Sequence, residues 1–119
     1  MIKSLLLVGA GGAIGSVMRY FIIIMFRNPS FPYSTLIVNI AGSFIIGIVA
    51  ALVIKNSVSN EVRLFIATGI CGGFTTFSAF SIESMQLLNE NRYSAAFLYI
   101  AASFTLGIAA AFAGWIFAK

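Results

Sequence analysis

Four long apolar runs, separated only by short polar turns, dominate this 119-residue chain. They are expected to form helices over about 4–26, 33–54, 62–86 and 93–118. Each reaches the roughly 20 residues that a helix needs to cross a bilayer. Arg27 to Pro32 forms the first turn, kept extended by the only two prolines. Lys55 to Arg63 forms the second, and Asn89 to Arg92 the third. A serine or asparagine ahead of Glu61 is placed to cap the third helix. No linker, soluble domain or low-complexity stretch interrupts the pattern, so residues 1–119 read as one transmembrane domain.

Composition supports the membrane assignment. Hydrophobic residues make up 61% of the chain and charged residues 8%, where a soluble domain carries about 25%. Histidine is absent and Cys71 is the only cysteine, which excludes a zinc site, a Cys-His pair and a disulfide framework within one chain. No nucleophile–base pair is visible, so the chain is not expected to be an enzyme. The net charge of +4 comes without a basic run of the kind that binds nucleic acid.

The first run invites two misreadings. Lys3 followed by leucines and the small residues Gly9 to Ala13 imitates a secretory signal, but the apolar stretch continues to Phe26. A retained helix is therefore expected. Gly9-Ala10-Gly11-Gly12-Ala13-Ile14-Gly15 imitates a dinucleotide fingerprint, yet Ile14 stands where glycine is required and no acidic residue follows about 20 positions on. Gly11 and Gly15 instead make a small-xxx-small face for close helix approach. Ser43/Gly47, Gly107/Ala111 and Ala110/Gly114 repeat that spacing.

The decapeptide Gly72-Gly73-Phe74-Thr75-Thr76-Phe77-Ser78-Ala79-Phe80-Ser81 is the expected seat of function. Two glycines and two threonines are poor material for a continuous helix. The third helix is expected to break between Gly72 and Thr76. At membrane depth, freed peptide groups are tolerated only inside protein or along a polar path. An unwound turn there offers carbonyl oxygens suited to a hard cation such as sodium. Phe77 and Phe80 share a helix face, with Ser81 and Ser84 following on nearly the same stripe. Ring edges are electropositive and can touch a small anion without offering a full charge, although plain packing explains phenylalanines equally well. Few other polar groups lie in the spans. Asn39 can donate to an anion or join helices. Arg19 can snorkel, serve a positive vestibule, or pair with Glu83. Tyr99 and Ser103, four apart, extend a polar track on the fourth helix.

Topology is weakly specified. Lys3, Lys55, Arg63 and Lys119 fall on the side of the termini, while Arg27 and Arg92 fall opposite, with Arg19 nearer the interior. Two readings stay open: termini in the cytoplasm, or insertion both ways with assembly as an antiparallel pair.

These residues resemble the Fluc/CrcB family of fluoride channels over nearly the whole length. The resemblance is carried by Gly11-Gly12-Ala13-Ile14-Gly15 with Arg19-Tyr20, by Thr35-Leu36-Ile37-Val38-Asn39, and above all by Gly72 to Ser81 followed by Glu83. It implies an all-α fold with four transmembrane helices per subunit, assembled as a dual-topology antiparallel homodimer in a bacterial inner membrane. It implies passive export of fluoride along two opposed pathways, lined here by Asn39, Thr76, Phe77, Phe80, Ser81, Tyr99 and Ser103, with Arg19 at a vestibule. It also implies a structural sodium ion between subunits, held by the backbone carbonyls of Gly72 and Thr75. Family members often carry a hydroxyl four residues beyond Ser103, where this chain has Gly107. The rival reading as a small multidrug transporter calls for an early membrane carboxylate, and the first two runs contain none. A non-transporting membrane subunit would have no use for a hydroxyl-rich helix break.

Overall fold

The computed structural model describes all 119 residues and is entirely helical. Four spans run Ile2–Met25, Tyr33–Ile54, Asn60–Asn89 and Tyr93–Ala118. The bundle measures 47 × 29 × 23 Å, long enough to cross a bilayer with its headgroup regions. Large apolar side chains cover its outside, including Leu6, Val17, Phe97 and Phe117. With hydrocarbon or another subunit as surroundings, such a surface carries no exposure penalty.

The turns use the residues that their geometry requires. Asn28 Oδ1 accepts from the Ser30 and Phe31 amides at 2.7 and 3.3 Å, which closes the first turn before Pro32. Asn56 and Asn91 both take positive φ, at 56° and 59°, a region that asparagine tolerates better than most residues. Ser59 caps the third span by accepting from the Val62 amide at 3.2 Å.

Packing is pairwise. The second span lies along the fourth, and the first lies along the opening half of the third. Small residues set both contacts. A Cβ on Gly47 would run into the Ala111 carbonyl, and one on Gly114 into the Phe44 carbonyl. Across the other seam, a Cβ on Gly11 would sit 2.9 Å from the Gly69 Cα, and one on Gly15 would strike the Ile70 carbonyl. Lost backbone approach of this kind cannot be recovered by rotamer changes, because the obstructing atoms are main chain. Gly15→Leu should therefore lower the thermal unfolding midpoint in detergent sharply, through at least the ~1–3 kcal/mol typical of overpacking. An unchanged midpoint would mean that the seam is looser than described. Gly107 differs: the nearest atom to a Cβ there is Ser43 Oγ, at 3.8 Å, so a side chain fits.

The third span is bent and locally irregular. After one α turn, Leu64–Cys71 winds as a π-helix, then Gly72–Phe74 returns to α. Nothing in the local sequence announces the wide turn. It lies where the first span packs closely, with Gly11 against Gly69 and Gly15 against Ile70. The helix stops after Phe74. Thr75 has ψ 156° and Thr76 has φ −150° and ψ 117°, both extended, and a new helix runs Phe77–Asn89. The interruption is thus narrower than the expected Gly72–Thr76. Gly72 is helical, with φ −61° and ψ −38°, and Gly73 lies in the same short α segment. Gly73 serves approach, since a Cβ there would run into the Gly12 carbonyl.

Candidate functional site

Stopping a helix mid-membrane strands several peptide groups, and the fold supplies some of them with a side chain. The Asn39 carboxamide docks onto the Thr76 peptide from both sides. Its Nδ2 donates to the Thr76 carbonyl at 3.1 Å, and its Oδ1 accepts from the Thr76 amide at 2.8 Å. In effect Asn39 replaces the strand or helix neighbour that this peptide lacks. Arg19 donates from Nε to the Gly73 carbonyl at 3.0 Å. Thr75 Oγ1 donates to the Cys71 carbonyl at 2.8 Å. Thr76 Oγ1 caps the new helix by accepting from the Ala79 amide at 3.1 Å.

These substitutions leave some carbonyls at the break without their helical donors. In an unbroken helix the Thr76 amide would serve Gly72 and the Ala79 amide would serve Thr75. Both amides are engaged elsewhere, with Asn39 and with Thr76 Oγ1. The Gly72 and Thr75 oxygens are therefore among those that the break releases, together with that of Phe74, whose helical donor would be the Ser78 amide.

Beside the break lies a groove of about 260 Å³. Asn39 and Ser43 of the second span form one wall, Thr75, Thr76, Phe77 and Phe80 another, and Ser103, Phe104 and Gly107 of the fourth span a third. Ser103 Oγ is buried and lacks a hydrogen-bond partner within the chain. Phe77 is 74% exposed, so the groove is open on that side. Its ring centroid lies 5.8 Å from that of Phe80. Phe80 is the hub of the aromatic contacts, 5.3 Å from Tyr99 and edge-on to Phe104 at 5.9 Å.

Above the groove, Tyr99 is completely buried. Its hydroxyl donates to Glu83 Oε1 at 2.9 Å, while Thr35 Oγ1 donates to Glu83 Oε2 at 2.9 Å. One carboxylate thereby ties together the second, third and fourth spans. The alternative pairing of Glu83 with Arg19 is not formed, because Arg19 reaches the Gly73 carbonyl and Glu83 is occupied by the two hydroxyls. Ser81 turns its hydroxyl back to the Phe77 carbonyl at 3.0 Å and faces outward rather than into the groove.

Asn39, Thr76, Phe77, Phe80 and Ser103 are thus brought together around one groove, with Tyr99 behind Phe80. Two features were missed by sequence reasoning. The spacing of Ser43 with Gly47 marks it as a small residue for packing, yet its hydroxyl faces the groove opposite Gly107. Thr35 entered only as part of a motif, and its bond to Glu83 depends on tertiary contact that no local spacing discloses.

The family model described as "CrcB-like protein, Camphor Resistance (CrcB)" matches residues 6–115. The chain is 46% identical over 114 residues to the "Fluoride-specific ion channel FluC" of Rhizobium meliloti, covering 92% of this chain and 91% of the relative. It is 50% identical over 113 residues to the protein of that name from Rhizobium etli, covering 92% and 90%. With that of Flavobacterium psychrophilum it shares 45% identity over 121 residues, covering 98% of both chains. A single match of such length, supported by near-complete alignment to these relatives, places the chain in the CrcB family.

Proposed function

We propose that this multi-pass membrane protein is a fluoride-selective channel that lets the anion leave a bacterial cytoplasm passively across the inner membrane. The observation that carries the reading is the uncharged polar groove at the helix break. Asn39, Ser43, Thr76 and Ser103 offer polar groups beside the rings of Phe77 and Phe80, and no lysine or arginine lines the groove. Fluoride is small and strongly hydrated. A path for it must replace water with several donors and still release the ion. Hydroxyls, an amide and ring edges provide that balance, whereas a fixed cation at the narrowest point would trap the ion.

The working unit in this reading is an antiparallel homodimer with both insertion orientations, embedded in lipid. Support comes from the exposed Phe77, which needs a second surface to close the path, and from the weak bias of basic residues, four on the side of the termini against two opposite, with Arg19 nearer the interior. The released Gly72 and Thr75 oxygens are hard neutral donors, which fits a sodium ion shared with the same pair from a second copy. Bound there, sodium would supply positive charge near the vestibule and join the subunits.

The test is flux. Liposomes containing the purified protein should release fluoride rapidly once a potassium ionophore balances charge, while chloride stays inside. Comparable efflux of both anions would remove the selectivity claim, and proton-coupled efflux of a cationic dye would favour the multidrug-transporter reading.

A further inference from the structure

A second cavity, of about 230 Å³, lies at the end of the bundle formed by the two short turns. It is lined by Arg27 and Asn28 of the first turn, Ser34 of the second span, Glu83 of the third, and Glu90 and Arg92 of the turn that follows it. Three chain segments place the two cavities in series. Along the second span come Ser34 in this cavity, Thr35 on Glu83, then Asn39 and Ser43 in the groove. Along the fourth, Arg92 is followed by Tyr99 on Glu83, then Ser103 and Gly107 in the groove. Along the third, Thr76 to Phe80 border the groove, and Glu83, with Glu90 just beyond the span, borders the second cavity. Phe80 of the groove touches Tyr99, and Tyr99 bonds to Glu83 of the second cavity, so these three side chains link the two.

The charges of this second cavity are unequal in availability. Arg92 is paired with Glu90 at 3.7 Å. Both Glu83 oxygens are taken by hydroxyls. Arg27 follows the Phe26 cap of the first helix, beside the Asn28 turn, and has neither a carboxylate nor a hydrogen-bond partner. Its whole fork of N–H donors is free to meet an anion.

We infer that this cavity is the outer mouth of the ion path and that Arg27 is the side chain that concentrates the permeant anion there. The inference rests on the channel reading above. An unpaired cation beside a narrow opening raises local anion concentration and so the entry rate, an effect that salt screens.

Fluoride efflux from liposomes of neutral lipid, at low fluoride and low ionic strength, tests it. Arg27→Gln should slow efflux roughly three- to tenfold. Arg27→Glu should slow it further, Arg27→Lys should retain most of the rate, and Arg92→Gln should change it little. At about 1 M impermeant salt, where the screening length is roughly 3 Å, Arg27→Gln and the parent should converge. Equal rates for Arg27→Gln and the parent at low salt would overturn the mouth while leaving the channel reading intact. A deficit that appears only with anionic lipid would overturn it too, assigning Arg27 to lipid headgroups. A parent protein that releases no fluoride would take both readings down together.

Discussion

Phe80→Ile should reduce fluoride efflux to the level of protein-free liposomes while the protein still folds and elutes as the parent does. Phe80 touches three rings at once: Phe77 at 5.8 Å, Tyr99 at 5.3 Å and Phe104 at 5.9 Å between centroids. It also borders the groove directly, and its neighbour Tyr99 bonds to Glu83. Isoleucine keeps apolar bulk, so the change in stability should stay within the ~1.5 kcal/mol typical of volume-conserving swaps. What disappears is the electropositive ring edge, for which an aliphatic chain has no equivalent. Phe80→Tyr preserves the ring and should retain measurable flux. If Phe80→Ile conducts like the parent, the rings are packing and nothing more. If both variants aggregate, the hub is chiefly structural, and the edge argument loses its support.

How much of this was legible before the structure differs from element to element. The four spans follow from apolar runs, because in lipid a run of that length has few alternatives to a helix. That the third helix would bend near its glycines and threonines also follows from local propensity. Where the bend falls does not. Gly73 is pressed against Gly12 of the first span, and both glycines remain wound, so Thr75–Thr76 open instead. The same limit applies to the site. Phe77, Phe80 and Ser103 announce themselves by spacing within a helix. The Asn39 clamp on Thr76 joins residues 37 apart in sequence, and the Thr35–Glu83 bond joins residues 48 apart. Such pairs are set by how spans cross, which periodicity does not encode. Arg19 carries a role that charge does not disclose. An arginine within a span suggests a carboxylate partner, and Glu83 is not that partner; the Arg19 Nε satisfies a carbonyl that the break has orphaned.

Asn39→Asp should abolish transport and also loosen the break, and the two effects can be separated. Asparagine offers one acceptor and one donor to the Thr76 peptide, at 2.8 and 3.1 Å. Aspartate keeps the acceptor for the amide but sets a second oxygen against the Thr76 carbonyl. Two acceptors then face each other inside the bundle, and the carbonyl loses its donor, a change worth about 1–3 kcal/mol of stability. An ionised carboxylate would in addition place a negative charge in the wall of a path meant for an anion. Asn39→Ala removes the whole clamp without adding charge. It should lower the thermal midpoint at least as much as aspartate does, because both Thr76 groups lose their partner. Residual fluoride flux in Asn39→Ala but none in Asn39→Asp would identify charge as the blocking agent. Equal loss in both would identify the clamp. Full flux in either variant, with an unshifted thermal midpoint, would mean that the Thr76 peptide does not depend on Asn39 and that the break is held open by something else.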